Sequence, residues 1–192
     1  HTFVQYMVKQ MKYCSTCGHP VEQRIPQGDN RHRYVCIGCE TIHYQNPRIV
    51  AGTVPVWKGR VLLCRRAIEP RYGYWTLPAG FMENSETTLE AATRETREEA
   101  LAEVTVDNLY TIIHVPHIDQ VHMFYRATLT SEDFGAGEES LETQLFALED
   151  IPWDELSFPT VRRTLELYVE DVRNEHFPVH VDDIRYRMGP RA

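Results

Sequence analysis

The sequence predicts an α/β (α+β) domain, a mixed sheet sandwiched between helices, preceded by a small cysteine-bearing ribbon. Three observations point there: two cysteine pairs within residues 11–45, strand-like runs from residue 46 onward, and one strongly helical stretch between those runs. At 192 residues the chain offers one full domain with a smaller attachment, on a prior of roughly 150 residues per domain. Hydrophobic residues make up 42% and charged residues 25%, and no run approaches the ~18 uncharged apolar residues of a membrane span. A soluble globular protein without a membrane partner is expected. A net charge of −8 repels phosphate backbones, so nucleic acid is a disfavoured partner.

Cys14 and Cys17, then Cys36 and Cys39, form two Cys-x₂-Cys pairs in a stretch with few large aliphatic residues and a turn-rich Gly-Asp-Asn at its middle. Such a stretch cannot close an apolar core alone. Four thiolates at this spacing suit one tetrahedral Zn²⁺, whose binding supplies the folding energy. His19 and His43 stand beside the knuckles and are read as spectators. The start lacks the pattern of a secretory signal, and with metal-type cysteine usage this predicts a reducing, cytoplasmic home.

From Asn46 the texture changes. RIVAGTVPVW, a Lys58-Gly59 turn and RVLLCRR predict a hairpin, with Cys64 a buried small hydrophobe. VTVDNLYTIIHV and QVHMFYRATL predict further strands, the second with two distinct faces, and Thr143 to Leu148 another. Ser157 and Pro159 give helix-start signals before a periodic apolar row.

Between the strands lies TTLEAATRETREEALAEV, opened by the capping box Thr87-x-x-Glu90 and carrying an inward face of Leu89, Ala92, Thr96 and Ala100. Glu95, Glu98 and Glu99 fall within about 100° of one another on another face and crowd the negative helix end. Like charges at i,i+4 cost a few tenths of a kcal/mol. A bound hard divalent cation removes the objection, and such a platform serves phosphoryl or pyrophosphoryl chemistry.

Read together, residues 80 to 99 are Gly-x₅-Glu-x₇-Arg-Glu-Thr-x-Glu-Glu, which resembles the signature of the Nudix hydrolases at Gly80, Glu86, Arg94, Glu95, Glu98 and Glu99. Six specified residues at fixed spacing arise by chance at one start with odds on the order of 10⁻⁷. The pattern departs at Thr96, where the family usually has an aliphatic residue, at Leu101, where it has Gly, and at Ala79. A ribbon ahead of this box is similar to the NADH pyrophosphatases. The runs NPRIVAGTVPVW, CRRAIEPRYGYWTLPAGFME and LYVEDV are similar to plant plastid FAD and ADP-ribose pyrophosphatases. The family's NADH-selecting run is replaced by HVPHIDQVHMFY.

The resemblance implies a Nudix fold with a zinc ribbon at 11–45, a hydrolase domain at 46–178 and a C-terminal tail at 179–192. It implies that Glu95, Glu98 and Glu99 hold Mg²⁺ or Mn²⁺, that Arg94 orients them, that Glu86 supports the network, and that Gly80 permits a tight turn. A further acid is expected from the later loop, Glu142 first and Glu139 second. Arg65, Arg66, Trp75 and Phe81 are candidates for substrate binding. The implied activity is hydrolysis of the pyrophosphate bond in a nucleoside diphosphate linked to another moiety, FAD or ADP-ribose first. NADH pyrophosphatase activity, or a binding protein with a sensor-like Nudix part, are the alternatives. A homodimer is allowed.

Overall fold

The computed structural model describes residues 10–185. Residues 1–9, where a leader was looked for, and residues 186–192 of the expected tail lie outside the described residues. The chain divides after Pro47 into two units.

In the first unit, β1 (Val21–Arg24), β2 (Arg33–Cys36) and β3 (Ile42–His43) make an antiparallel three-stranded sheet. The cysteine knuckles close tightly, with the Gly18 amide donating to the Cys14 carbonyl and the Glu40 amide to the Cys36 carbonyl. Buried apolar side chains here are Tyr34 and Val35 beside Cys14 and Cys36. So small a core is the mark of a fold that depends on its metal.

The second unit contains β4 (Arg48–Trp57), β5 (Arg60–Arg66), β6 (Trp75–Thr76), β7 (Ala79–Phe81), α1 (Thr88–Ala100), β8 (Val104–Val115), β9 (Gln120–Leu129), β10 (Ser140–Phe146), α2 (Pro159–Asn174) and β11 (His180–Asp183). The sheet runs β10-β5-β4-β9-β8-β11, with β6 on β5 and β7 on β4. It is mixed, because β4 pairs with β9, and β8 with β11, in parallel. The hairpin turn is Lys58-Gly59, both at positive φ, which matches the twist of the flanking strands.

Neighbouring residues of one strand feed opposite faces. Val61 and Leu63 join Val54, Phe124, Val161, Leu165 and Tyr168 on the α2 side, whereas Leu62 and Cys64 join Ala100 and Leu129 on the α1 side. The sheet therefore lies between the helices as its period-2 pattern requires. On β8 a bulge between Leu109 and Thr111 breaks that alternation, and Tyr110 and Thr111 both reach α2, at Asp171 and Thr164.

One opening in the sheet positions the site. β5 pairs with β4 only at Val56 and Trp57, and β7 pairs with β4 only at Val50 to Gly52. Between them lies Pro55. The Thr53 amide donates to the Pro78 carbonyl, and amides two apart point the same way, so the amide that Pro55 lacks would have entered this gap and is not missed. Gly52 lets the chain close in, since a Cβ there would lie 2.4 Å from the Pro78 carbonyl oxygen. The segment from Trp75 to Phe81 thus threads past β4 and emerges beside α1.

Some expectations change. Leu89 is 45% exposed, and the inward stripe of α1 is Ala91, Ala92, Thr96, Glu99 and Ala100. Small residues let the helix lie close to β4, and the Thr96 hydroxyl, buried where an aliphatic group was expected, donates to the Ala92 carbonyl and meets the Thr53 hydroxyl at 2.7 Å. Ser157 makes no cap, and α2 begins from Phe158 with Pro159 in its first turn. The stretch from residue 179 is not all tail: β11 docks in parallel on β8, held by His180 on Asp171 at 2.7 Å and Arg163 on Asp182 at 2.6 Å. Its charges are spent on these pairs, which a reading of local polarity cannot anticipate.

Candidate active site

The capping box forms as expected, Thr87 accepting from the Glu90 amide and Glu90 from the Thr87 amide. It starts α1 so that Glu95 and Glu99 fall beside β7. Three consecutive residues of β7 then each meet the helix. The Ala79 amide donates to Glu99 Oε2 at 3.2 Å. Gly80 leaves room for the Glu95 carboxylate, whose atoms lie 2.4 Å from where a Cβ would be. The Phe81 carbonyl accepts from Arg94 Nη2 at 3.2 Å. Gly80 is not at positive φ, so the turn expected of it is replaced by this steric role.

Arg94 is the hub. Its Nε and Nη2 hold both oxygens of Glu86 at 3.1 and 2.7 Å, and its Nη1 donates to Glu95 at 2.6 Å and Glu98 at 3.0 Å. Glu86 also accepts from the Glu83 amide. The Arg94 hydrogen bonds hold Glu86 below the usual carboxylate range. Burial, only partly offset by Arg94, raises Glu95. Glu99 is 6% exposed, and burial pushes it up to about 8, with the Glu95 and Glu139 charges adding and Arg66 opposing. An acid held dry among like charges is an electrostatic vacancy for a cation. Glu98, by contrast, has a largely exposed side chain.

The other expected residues scatter. Glu139 adds its charge to both Glu95 and Glu99, whereas Glu142 stands in register with Arg65 and pairs with it at 3.7 Å. A bulge between Ser140 and Glu142 inserts one residue into β10. Arg66 lies opposite Ser140, beside that acid loop, with its guanidinium over Phe158. Arg65 bonds the Gly73 carbonyl. Trp75, at 5% exposure, packs edge-on to Phe146 in the core. Phe81 is 45% exposed beneath the Arg48 guanidinium, 4.5 Å away. Sequence reasoning missed the backbone groups of Ala79 and Phe81, for which no local signal exists.

In the first unit, ligand atoms of Cys14, Cys17, Cys36 and Cys39 lie within 4.8 Å of one another, close to the ~3.8 Å edge of a tetrahedral Zn–S₄ site. Thr16, Gly38 and Cys39 amides point at the sulfurs. The donors fit zinc. His43 stays outside that cluster, as expected, with its Nε2 3.2 Å from Cys14 Sγ. Among the described residues this is the one gathered metal-type cluster. On α1, Glu95 and Glu98 are instead tied to Arg94 and Glu99 to the Ala79 amide, and their all-oxygen donor set suits a harder ion.

Residues 46–167 match the NUDIX domain family and residues 12–45 the family described as Nudix N-terminal, a zinc ribbon. A crystal structure of a NUDIX hydrolase from Nitrosomonas europaea has 48% identity and a TM-score of 0.89, covering 92% of this chain and 100% of that one. The NAD-capped RNA hydrolase NudC of Vibrio parahaemolyticus is 27% identical over 90% of this chain and 65% of its own length. The ADP-ribose pyrophosphatase of Methanocaldococcus jannaschii is 26% identical over 57% of this chain and 67% of its own. This chain thus spans a little under two thirds of the Vibrio relative. It belongs to the Nudix hydrolases, with a zinc ribbon ahead of the hydrolase fold.

Proposed function

We propose that this chain hydrolyses the pyrophosphate bond of a nucleoside diphosphate linked to another moiety, FAD or ADP-ribose first, with Mg²⁺ or Mn²⁺ held by Glu95, Glu98, Glu99 and Glu139. The observation that carries the reading is the Arg94 fork, which gathers Glu86, Glu95 and Glu98 beside the buried Glu99. When bound, the cation supplies charge neutralisation on phosphoryl oxygens and a water acidic enough to attack phosphorus near neutral pH.

The chain's own groups do the rest. Arg94 orients Glu95 and Glu98 before a cation arrives, while the Ala79 amide holds Glu99. Glu86, kept ionised by Arg94 and the Glu83 amide, orients that fork rather than exchanging protons. Glu99 would hold the cation in its ionised form, its proton passing to solvent, since the positive charge would offset what burial withholds. Arg66, facing the acids from β5, meets the diphosphate as an anion, and Phe81 offers its exposed face to a ring. With Glu139 taking the fourth acid position, Glu142 becomes a strand-edge ion pair.

The test is a panel of FAD, ADP-ribose, NADH and NAD-capped RNA with Mg²⁺, Mn²⁺ or EDTA, with product analysis to locate the attacked phosphorus. Metal-dependent release of a mononucleotide from FAD or ADP-ribose is expected. Turnover of none of the panel, or turnover untouched by EDTA, refutes the reading. Several relatives named NAD-capped RNA hydrolase favour an NAD-linked substrate as the second reading, and preference for NADH or capped RNA in the same panel would establish it. Light scattering on the same preparation tests the homodimer.

A further inference from the structure

The catalytic helix ends without its usual device. Its last carbonyls need donors from outside, and the cap position, where a glycine is the favourable residue, holds Leu101 at φ 47 and ψ 33. Two donors arrive from far along the chain: the Gly137 amide bonds the Glu99 carbonyl at 3.1 Å and the Gly135 amide the Ala100 carbonyl at 2.8 Å. The approach is so close that a Cβ on Gly137 would lie 1.7 Å from the Glu98 carbonyl oxygen, a backbone atom that cannot swing aside.

From this anchor the loop runs directly to an acid. The Ser140 amide turns back to the Gly137 carbonyl at 3.0 Å, and the Glu139 carbonyl accepts from the Ala67 amide at 2.8 Å. On the far side of the loop, Glu132 is tied to Trp57 at 3.1 Å and Arg60 at 3.2 Å. Glu139 is therefore held at a set distance from the helix end by backbone bonds on both sides.

We infer that Gly137 is a positioning residue for this reaction, docking the acid loop onto the end of α1 so that Glu139 and Glu99 face one cation. The inference rests on the proposed metal reading and adds to it the device that assembles the fourth acid. Any side chain at 137 forces the loop off the helix carbonyls and carries Glu139 away, while the rest of α1, packed through its alanine stripe, stays in place.

The experiment measures Mn²⁺ binding alone, by calorimetry on the zinc-loaded full chain, for wild type, Gly137→Ala, Glu139→Gln and the double variant. Each single change should weaken Mn²⁺ binding by about 10- to 100-fold, as loss of a supporting contact does. The double variant should be no weaker than the poorer single, since both remove one interaction. In wild type, the Gly135 and Gly137 amides should resist hydrogen exchange as strongly as the last turn of α1, a readout that stands even if Gly137→Ala does not fold. Wild-type affinity in Gly137→Ala, effects that multiply in the double variant, or free-loop exchange at both amides overturns the inference alone. A wild type that binds no Mn²⁺, or a Glu139→Gln variant that binds it as wild type does, overturns the four-acid reading and this inference together.

Discussion

The Glu95 carboxylate occupies the space that a side chain at Gly80 would need, its atoms 2.4 Å from the position of a Cβ. The clash is with the far end of a flexible side chain, so Gly80→Ala should fold and simply evict the carboxylate. If Glu95 holds the proposed cation, displacing it should cost about 10- to 100-fold in metal affinity and at least as much in kcat, with the melting temperature near that of wild type. A variant retaining full kcat would show that Glu95 is not needed where it sits.

Glu99 makes the metal-free protein sensitive to alkali. Burial lifts it to about 8, against ~4.3 when unfolded. Between those values the folded chain holds a proton the unfolded chain has released, so this stabilisation is complete below ~4.3 and is lost as pH rises through 8. Urea titrations in EDTA at pH 5.5 and 8 should show wild type losing stability relative to Glu99→Gln at the higher pH. Mn²⁺ competes with the same proton, so its affinity should rise over that interval. Parallel pH profiles for the two proteins would contradict the burial argument.

Glu98 should behave differently from its neighbour. It is largely exposed and already paired with Arg94, so Glu98→Gln should change metal-free stability by no more than about 0.5 kcal/mol. Turnover should nevertheless fall by orders of magnitude if it holds the cation. Stability measured in EDTA beside kcat separates the two roles.

Leu101 is a left-handed residue where glycine would be unstrained. Its side chain is mostly exposed, so Leu101→Gly should relieve about 1 kcal/mol of backbone strain and raise the melting temperature by roughly 2–4 °C. A lowered melting temperature would mean that contacts of the leucine side chain outweigh the strain.

The ribbon and the hydrolase should lose their metals independently. Zinc content near one per chain should vanish in Cys36→Ser and persist in Glu99→Gln. Elemental analysis decides it, because thiolates and carboxylates select different ions.

What could be read from the sequence was local or strictly spaced. The Lys58-Gly59 hairpin, the capping box at Thr87 and Glu90, the two cysteine pairs and the i,i+3 and i,i+4 acids of α1 all follow from periods of 2 and 3.6 and from turn chemistry. What each side chain meets was not legible. Leu89 is apolar yet exposed, because the sheet in front of α1 accepts only small side chains and one buried acid. A bulge in β10 sets Glu142 against Arg65, and the burial of Trp75 depends on Phe146, 71 positions away.

The Nudix family and the metal-type ribbon were legible in the chain alone, since the box and the cysteine pairs are patterns of fixed spacing that survive changes elsewhere. The rest depends on the folded chain: Gly80 makes room for Glu95, the Ala79 amide and the Phe81 carbonyl meet the acid cluster, and Gly137 docks the Glu139 loop on the helix end. Those relationships join residues 13 to 40 positions apart through hard-sphere contact and backbone hydrogen bonds, and neither leaves a periodic trace in the chain.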